Sequence, residues 1–312
     1  MRAFLFPGQG SQSVGMGAAL AEASRAARDT FSEVDEALGQ NLFKLMREGP
    51  EDELKLTENA QAAIMAHALA VFRSLTREGG VELRKAADFV AGHSLGEYSA
   101  LCAAGTFGLA NTARLLKIRG QAMQAAVPVG VGAMAALLGA DVELARKIAE
   151  AAAKGEVCEI ANDNDPSQVV LSGHAGAIER AIGRAKDMGA KRAVHLPVSA
   201  PFHCSLMQPA AEAMADALSY EVLQAPAVPL FANVTAAPTS DPDTIRNQLV
   251  EQVTGMVRWR ESVANMAAAG VDEFVELGGK VLGPMVKRIA PDAKVTSVVT
   301  IEDVEALAKE IH

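Results

Sequence analysis

The five residues Gly92-His93-Ser94-Leu95-Gly96 carry the clearest chemical signal in the chain. They match the G-x-S-x-G spacing of a nucleophile elbow, in which a serine sits at the tip of a sharp strand-to-helix turn. The flanks suit that geometry: residues 89–91 (Phe-Val-Ala) read as a short strand and 95–104 as an apolar helical stretch. Glycines let the chain turn tightly and approach other backbone closely. A serine in this place faces the free N–H groups of a helix start, which can stabilise the oxyanion of an acyl-transfer step. The chemistry implied is attack of the Ser94 hydroxyl on an acyl carbon to give a covalent ester.

A serine needs a base at neutral pH, and the chain has six histidines. His93 adjoins the serine but points elsewhere on a tight turn. His67 and His174 fall in predicted helices, His195 in a predicted strand, and His312 is the last residue. His203 stands in Ser199-Ala200-Pro201-Phe202-His203, a proline-braced loop of the kind that carries catalytic groups on a rigid scaffold. From the residues alone, a surface-loop histidine fits it equally well. The order serine before histidine suits an elbow enzyme, but no aspartate or glutamate between the two stands out as a third member. A second glycine loop, Phe6-Pro7-Gly8-Gln9-Gly10-Ser11-Gln12, follows the first predicted strand at 3–6. The dinucleotide fingerprint G-x-G-x-x-G fails because Ser13 occupies the last glycine's place. The loop therefore reads either as a source of N–H groups completing an oxyanion hole or as a plain tight turn. Arg119 lies on a predicted helix among Leu115, Leu116, Ile118 and Met123. It is either an inward-facing fork for a carboxylate or an ordinary arginine on the polar face.

The elements that must position these groups alternate strand, loop and helix, so the class is α/β. Helices are expected at 58–77, with Thr57 as N-cap and Gly79-Gly80 as stop, and at 111–125. The stretch 129–196 has its own rhythm. Strands at 133–138, 157–161, 168–172 and 192–197 and helices at 141–153 and 174–188 give β-α-β-β-α-β, the ferredoxin-like order. Asn162-Asp163-Asn164-Asp165-Pro166 reads there as a turn-rich connection. The main pattern resumes with strands at 228–232, 273–277 and 294–298 and helices at 241–253, at 259–269, from 280 and from 302. The domain reading is thus a core of residues 1–128 and 197–312 interrupted by an inserted unit, 129–196. The 312 residues, half of them hydrophobic, suffice for a large core built from Ala, Val, Leu and Met, since aromatics are only 4%. A net charge of −9 argues against general nucleic-acid binding. No apolar run reaches the roughly 18 residues of a membrane span, and residues 1–7 pass directly into structure with no signal-peptide layout. Three cysteines without CxxC spacing suggest neither a disulfide framework nor a zinc site, which fits a reducing cytoplasm.

Taken together, these blocks resemble the malonyl-CoA:acyl-carrier-protein transacylases of type II fatty-acid synthesis. The resemblance spans essentially the whole chain, in order: residues 6–12, Gly92-His93-Ser94-Leu95-Gly96-Glu97-Tyr98, Arg119-Gly120-Gln121-Ala122-Met123-Gln124, Gly132-Ala133-Met134-Ala135-Ala136, Pro201-Phe202-His203, Ala232-Asn233-Val234 and Val257-Arg258-Trp259. It implies a hydrolase-like core with a parallel sheet, interrupted by the ferredoxin-like subdomain. It implies Ser94 as nucleophile, His203 as general base and then acid, and the N–H groups of Gln9 and Leu95 as oxyanion hole. It implies Arg119 as the malonyl carboxylate's partner and the main-chain carbonyl of Gln252 as the group orienting His203. Asn162 corresponds to a family position near the substrate, and Phe202 fits the malonyl-selective form of its loop. No metal or other cofactor is implied. The partners implied are malonyl-CoA and acyl carrier protein, with no nucleic acid or membrane, and a monomer is expected.

Three departures from the family pattern bear on loop shape: Glu276-Leu277-Gly278-Gly279 lacks the usual proline, Met256 stands where a proline often precedes Val-x-Trp, and Glu58-Asn59-Ala60-Gln61-Ala62 replaces Thr-Gln-Pro-Ala. Because both carrier proteins and this chain are acidic, docking calls for local basic residues. Lys280, Lys287 and Arg288 are candidates, and Lys191 and Arg192 are expected to hold CoA phosphates. The rival readings are a serine thioesterase or hydrolase releasing free acid, a polyketide-type acyltransferase with another extender unit, and a carrier-binding scaffold without chemistry.

Overall fold

A computed structural model describes all 312 residues. Its ten strands are β1 (Arg2–Phe6), β2 (Phe89–Gly92), β3 (Gly132–Leu138), β4 (Cys158–Asp165), β5 (Gln168–His174), β6 (Arg192–His195), β7 (Leu230–Phe231), β8 (Pro238–Thr239), β9 (Glu273–Leu277) and β10 (Lys294–Val298). Six of them form one sheet in the order β10-β9-β1-β2-β7-β8. Every pairing in it is parallel except β7 with β8. In β1, Ala3-Phe4-Leu5-Phe6 are all fully buried, the unbroken apolar run expected of a parallel strand covered on both faces. One cover is the helix Thr57–Arg73, in which every residue from Thr57 to Phe72 except Glu58 is buried and which supplies the core with Ala, Ile64, Met65, Leu69 and Val71. β1 and β2 pair from Ala3 with Phe89 to Phe6 with Gly92, so both chains leave the sheet at the same level. The carboxyl end of a parallel sheet is where α/β folds place ligands, and both glycine loops begin there.

The second sheet is antiparallel in the order β4-β5-β3-β6, with helices Val142–Ala153 and Ala175–Ala185 packed on it around a separate apolar cluster that includes Leu137, Ile148, Leu171 and Ile178. This is the ferredoxin-like arrangement, and it runs from Gly132 to His195, inside the expected 129–196.

Several local expectations need correction. β4 does not stop at 161. It continues through the Asn-Asp run to Asp165, and the turn is confined to the next residues. The run is buried because partners in the other subdomain satisfy it. Arg260 reaches Asp163 at 2.9 Å and Arg288 reaches Asp165 at 2.7 Å, with both aspartates fully inaccessible. The Asp163 N–H donates to the Val257 carbonyl (3.0 Å) and the Val257 N–H to that of Ala161 (2.8 Å). The helix at 58–77 is α-helical only to Arg73 and becomes a π-turn over Ser74–Glu78, and Thr57 lies inside it without capping it. The strand expected at 192–197 ends at His195, and that at 228–232 is only Leu230–Phe231. His174 caps its helix from outside. No element is predicted over residues 18–54 or near 208–219. The structure forms helices Ala18–Ala23, Arg25–Leu38, Leu42–Glu48, Glu51–Leu54 and Gln208–Ser219 there. Ile118, one of the apolar neighbours of Arg119 on its helix, is 39% exposed.

Candidate active site

β2 ends at Gly92, and two residues later Ser94 enters the left-handed region at φ 54°. That conformation costs a side-chain-bearing residue about 1–2 kcal/mol, so the surroundings must impose it. The Ser94 N–H donates to Asn233 Oδ1 (2.8 Å), and the Asn233 side chain donates in turn to the Gly92 carbonyl (2.7 Å). From the other side, the loop after β1 presses on the elbow. A Cβ on Gly96 would come within 2.2 Å of the Phe6 oxygen, and one on Gly8 within 2.6 Å of the His93 oxygen. Only glycine allows backbone to approach so closely. This contact carries Gln9 to the serine, and the N–H groups of Gln9 and Leu95 donate to no acceptor in the protein. Two free N–H groups flanking a serine hydroxyl are what an acyl oxyanion requires.

His203 also has a positive φ, 56°, in the loop preceding the helix Gln208–Ser219. Its Nε2 lies 2.7 Å from Ser94 Oγ, and its Nδ1 lies 2.8 Å from the main-chain oxygen of Gln252. A carbonyl can only accept, so Nδ1 carries the hydrogen and Nε2 is left to take the serine proton. Burial, reinforced by the charge of Arg119, pushes the imidazole down to about 3, which keeps it unprotonated at rest with Nε2 free to accept. His93 turns away to Asn164 (2.8 Å), a residue of β4, and so ties the elbow to the inserted subdomain.

Arg119, on the helix Leu109–Ala125, is 1% exposed, which removes the polar-face reading. Its Nη1 donates to Gln61 Oε1 (2.7 Å), and its Nη2 to Gln252 Oε1 (2.8 Å) and Ser94 Oγ (3.2 Å). Nε has no partner, and the guanidinium sits 5.7 Å over the Tyr98 ring. None of its contacts is a carboxylate. With no carboxylate in direct contact, the buried guanidinium keeps donors free that suit an anion.

A cavity of about 390 Å³ opens above the serine, its walls including Gln9, Asn162, Phe202, His203 and Met285. Arg119 lies behind Ser94 rather than in the wall. A larger groove of about 820 Å³ on the far side of the 10–17 loop holds neither Ser94 nor His203. Lys191 and Arg192 are exposed and outside the cavity lining. They stand at the opposite end of β6 from Leu196, roughly 13 Å along the strand at ~3.3 Å per residue. Cys204 is fully buried. Sequence reasoning gave no role to Gln61, Glu97 or Asn233, nor to the side chain of Gln252. The available signal was a set of polar residues at 61 and 97 inside otherwise apolar helices.

A profile of the acyl transferase domain matches residues 3–282. The malonyl CoA-acyl carrier protein transacylase of Escherichia coli K12 is 46% identical over 288 residues, 92% of each chain. That of Bacillus subtilis 168 is 43% identical over 305 residues, 97% of this chain and 95% of that one. This chain belongs to the malonyl CoA-acyl carrier protein transacylase family. Among solved members, the acyl-carrier-protein S-malonyltransferase of Bartonella henselae superposes with a TM-score of 0.97 at 54% identity, covering 99% of both chains. A type II PKS acyl-carrier protein in complex with its malonyl-transacylase gives 0.95 at 38% identity, again over 99% of both chains. Against the transacylase pattern, the proline-free Gly278-Gly279 turn is braced from within. The Glu276 carboxylate accepts from the N–H groups of Val281 (2.9 Å), Leu282 (3.0 Å) and Gly283 (2.8 Å), which fixes the segment.

Proposed function

We propose that this chain moves a malonyl group from malonyl-CoA to the phosphopantetheine thiol of acyl carrier protein, through an ester on Ser94. The observation that carries this reading is Arg119: a buried cation 3.2 Å from the nucleophile, with no carboxylate in direct contact. An acyl group ending in a carboxylate would complete it.

In the first half-reaction, His203 Nε2 takes the Ser94 proton as Oγ attacks the thioester carbon. The oxyanion is held by the Gln9 and Leu95 N–H groups. Collapse breaks the C–S bond, and the CoA thiolate leaves with the proton from His203. In the second, the carrier's thiol gives its proton to His203 and attacks the ester. Ser94 Oγ leaves and recovers that proton. The Gln252 carbonyl keeps the imidazole in the working tautomer throughout, and Arg119 fixes the acyl group while Asn162 and Phe202 wall it in. Thioester and ester exchange is nearly balanced, so the task is to position the acyl group and keep water from it. These steps use no metal or other cofactor. No helix is long and apolar enough to cross a membrane. We take the enzyme to act as a monomer in the cytoplasm. Residues 129–196 serve as an inserted unit whose strands β4 and β5, through Asn162, Asn164, Gln168 and Val170, form one wall.

Intact-protein mass spectrometry after brief mixing with malonyl-CoA tests this. A malonyl adduct is expected on the wild type and none on Ser94→Ala, with discharge by holo carrier protein. Free malonate accumulating without a thiol acceptor would instead mark a hydrolase, and neither adduct nor malonate would refute the substrate.

A further inference from the structure

One buried carboxyl group plays no part in those steps. Glu97, in the helix Gly96–Ala103, is 1% exposed and lies at the back of the site. Its Oε1 accepts from the Asn233 N–H (3.3 Å), and its Oε2 accepts from the side-chain N–H of Gln252 at very close range. The oxygen of that same amide accepts from Arg119 Nη2 (2.8 Å). An arginine can only donate, and the Glu97 oxygen is the acceptor facing the amide nitrogen, so the Gln252 side chain fits only one way round. Glu97, the amide dipole and Arg119 therefore form one chain of aligned hydrogen bonds. In such a chain each bond polarises the next. Glu97 is the only carboxylate in it.

We propose that Glu97 is the internal counter-charge of Arg119, relayed by the Gln252 amide, and that its ionisation sets how tightly the site holds an acyl group bearing a carboxylate. With Glu97 ionised, a malonyl carboxylate meets a cation already compensated. With Glu97 protonated, it meets a bare one. This inference rests on Arg119 being the malonyl partner.

Burial pushes the Glu97 carboxyl up to about 8, against the hydrogen bonds from Asn233 and Gln252 and the charge of Arg119. The other groups facing the network hold their charge around that pH. Arg119 stays a cation, burial keeps the Tyr98 hydroxyl from ionising, and His203 is neutral. Below about 8 the site is thus open to a carboxylate. Above it, the bound malonyl group must draw a proton onto Glu97 or share Arg119 with it, so affinity falls as pH rises, by up to about tenfold per unit.

The test uses Ser94→Ala, which cannot be acylated and so reports true binding. Dissociation constants for malonyl-CoA and acetyl-CoA are measured by calorimetry from about pH 6.5 to 9.5, in buffers of different ionisation enthalpy. Malonyl-CoA is expected to weaken above about pH 8 with proton uptake on binding, while acetyl-CoA shows neither effect. Adding the isosteric Glu97→Gln should abolish both for malonyl-CoA. If malonyl-CoA binds more tightly than acetyl-CoA but without pH dependence or proton uptake, the proposed function stands and this inference falls. It falls equally if Glu97→Gln retains the slope. If the two thioesters bind alike at every pH, the role of Arg119 itself is refuted. The Ser94→Ala data alone decide the matter should the double variant not fold.

Discussion

Replacing Arg119 with alanine tests the acyl-selection argument most directly. A guanidinium has five N–H donors. Three are engaged, with Gln61, Gln252 and the Ser94 hydroxyl, which leaves two, including the buried Nε–H. Two hydrogen bonds from a charged donor to a malonyl carboxylate, at about 1.5–3 kcal/mol each, amount to about 3–6 kcal/mol. At ~1.4 kcal/mol per tenfold, Arg119→Ala should lower kcat/KM for malonyl-CoA by about 10²–10⁴. Acetyl-CoA should respond differently. In the wild type its methyl leaves the buried cation unpaired, so removing the cation should leave acetyl transfer within about tenfold of its former rate, or raise it. The assay is single-turnover CoA release with each thioester, with circular dichroism to show that the variant is folded. The expected signature is a malonyl-to-acetyl ratio reduced by at least about 10². A parallel loss for both substrates would refute the reasoning, because it would make Arg119 a support for Ser94 rather than a selector.

Since the free-enzyme imidazole of His203 lies near 3, acylation by malonyl-CoA should show no acid limb at the ordinary histidine value of ~6.5. Pre-steady-state acylation rates between about pH 5 and 7 should be flat, and a midpoint near ~6.5 would contradict the depressed base. Arg260→Ala strands the fully buried Asp163 carboxylate and should cost about 3 kcal/mol in urea unfolding, whereas Arg260→Met with Asp163→Leu should be close to neutral. Equal costs for the two would argue against an ion pair between the subdomains. Lys191→Glu with Arg192→Glu should raise KM for malonyl-CoA with little change in kcat, and an unchanged KM would retire both residues as phosphate contacts.

The elbow, its histidine and the inserted βαββαβ unit were legible because each is written in local pattern: glycine spacing around Ser94, a proline-braced loop, and period-two strands alternating with period-3.6 helices. The polar run at 162–165 misled for a physical reason. Asn and Asp favour turns when they must find their own partners, but here Arg260, Arg288, His93 and Val257 supply partners from up to 123 residues away, which no local window contains. The helix Arg25–Leu38 was missed although Ala27, Thr30, Phe31 and Val34 mark a buried face at helical spacing that the local pattern does contain. Gln252 was legible only by family resemblance, and then only through its carbonyl. Nothing in the sequence tells that its amide also spans Glu97 and Arg119.

The binding of β4 to the core reaches beyond stability. Four successive residues of one strand, Asn162 to Asp165, each engage the other subdomain, by backbone bridge, ion pair or the bond to His93. A seam bonded at four successive residues opposes a hinge at β4, so opening the cleft there would require breaking these bonds together. In the proposed transfer, the pantetheine arm would then be the component that moves, threading a slot braced along this seam. Discrimination between carriers would fall to the rim, where the arm enters, and the acyl-enzyme would be shielded by walls already in place rather than by the closing of a lid.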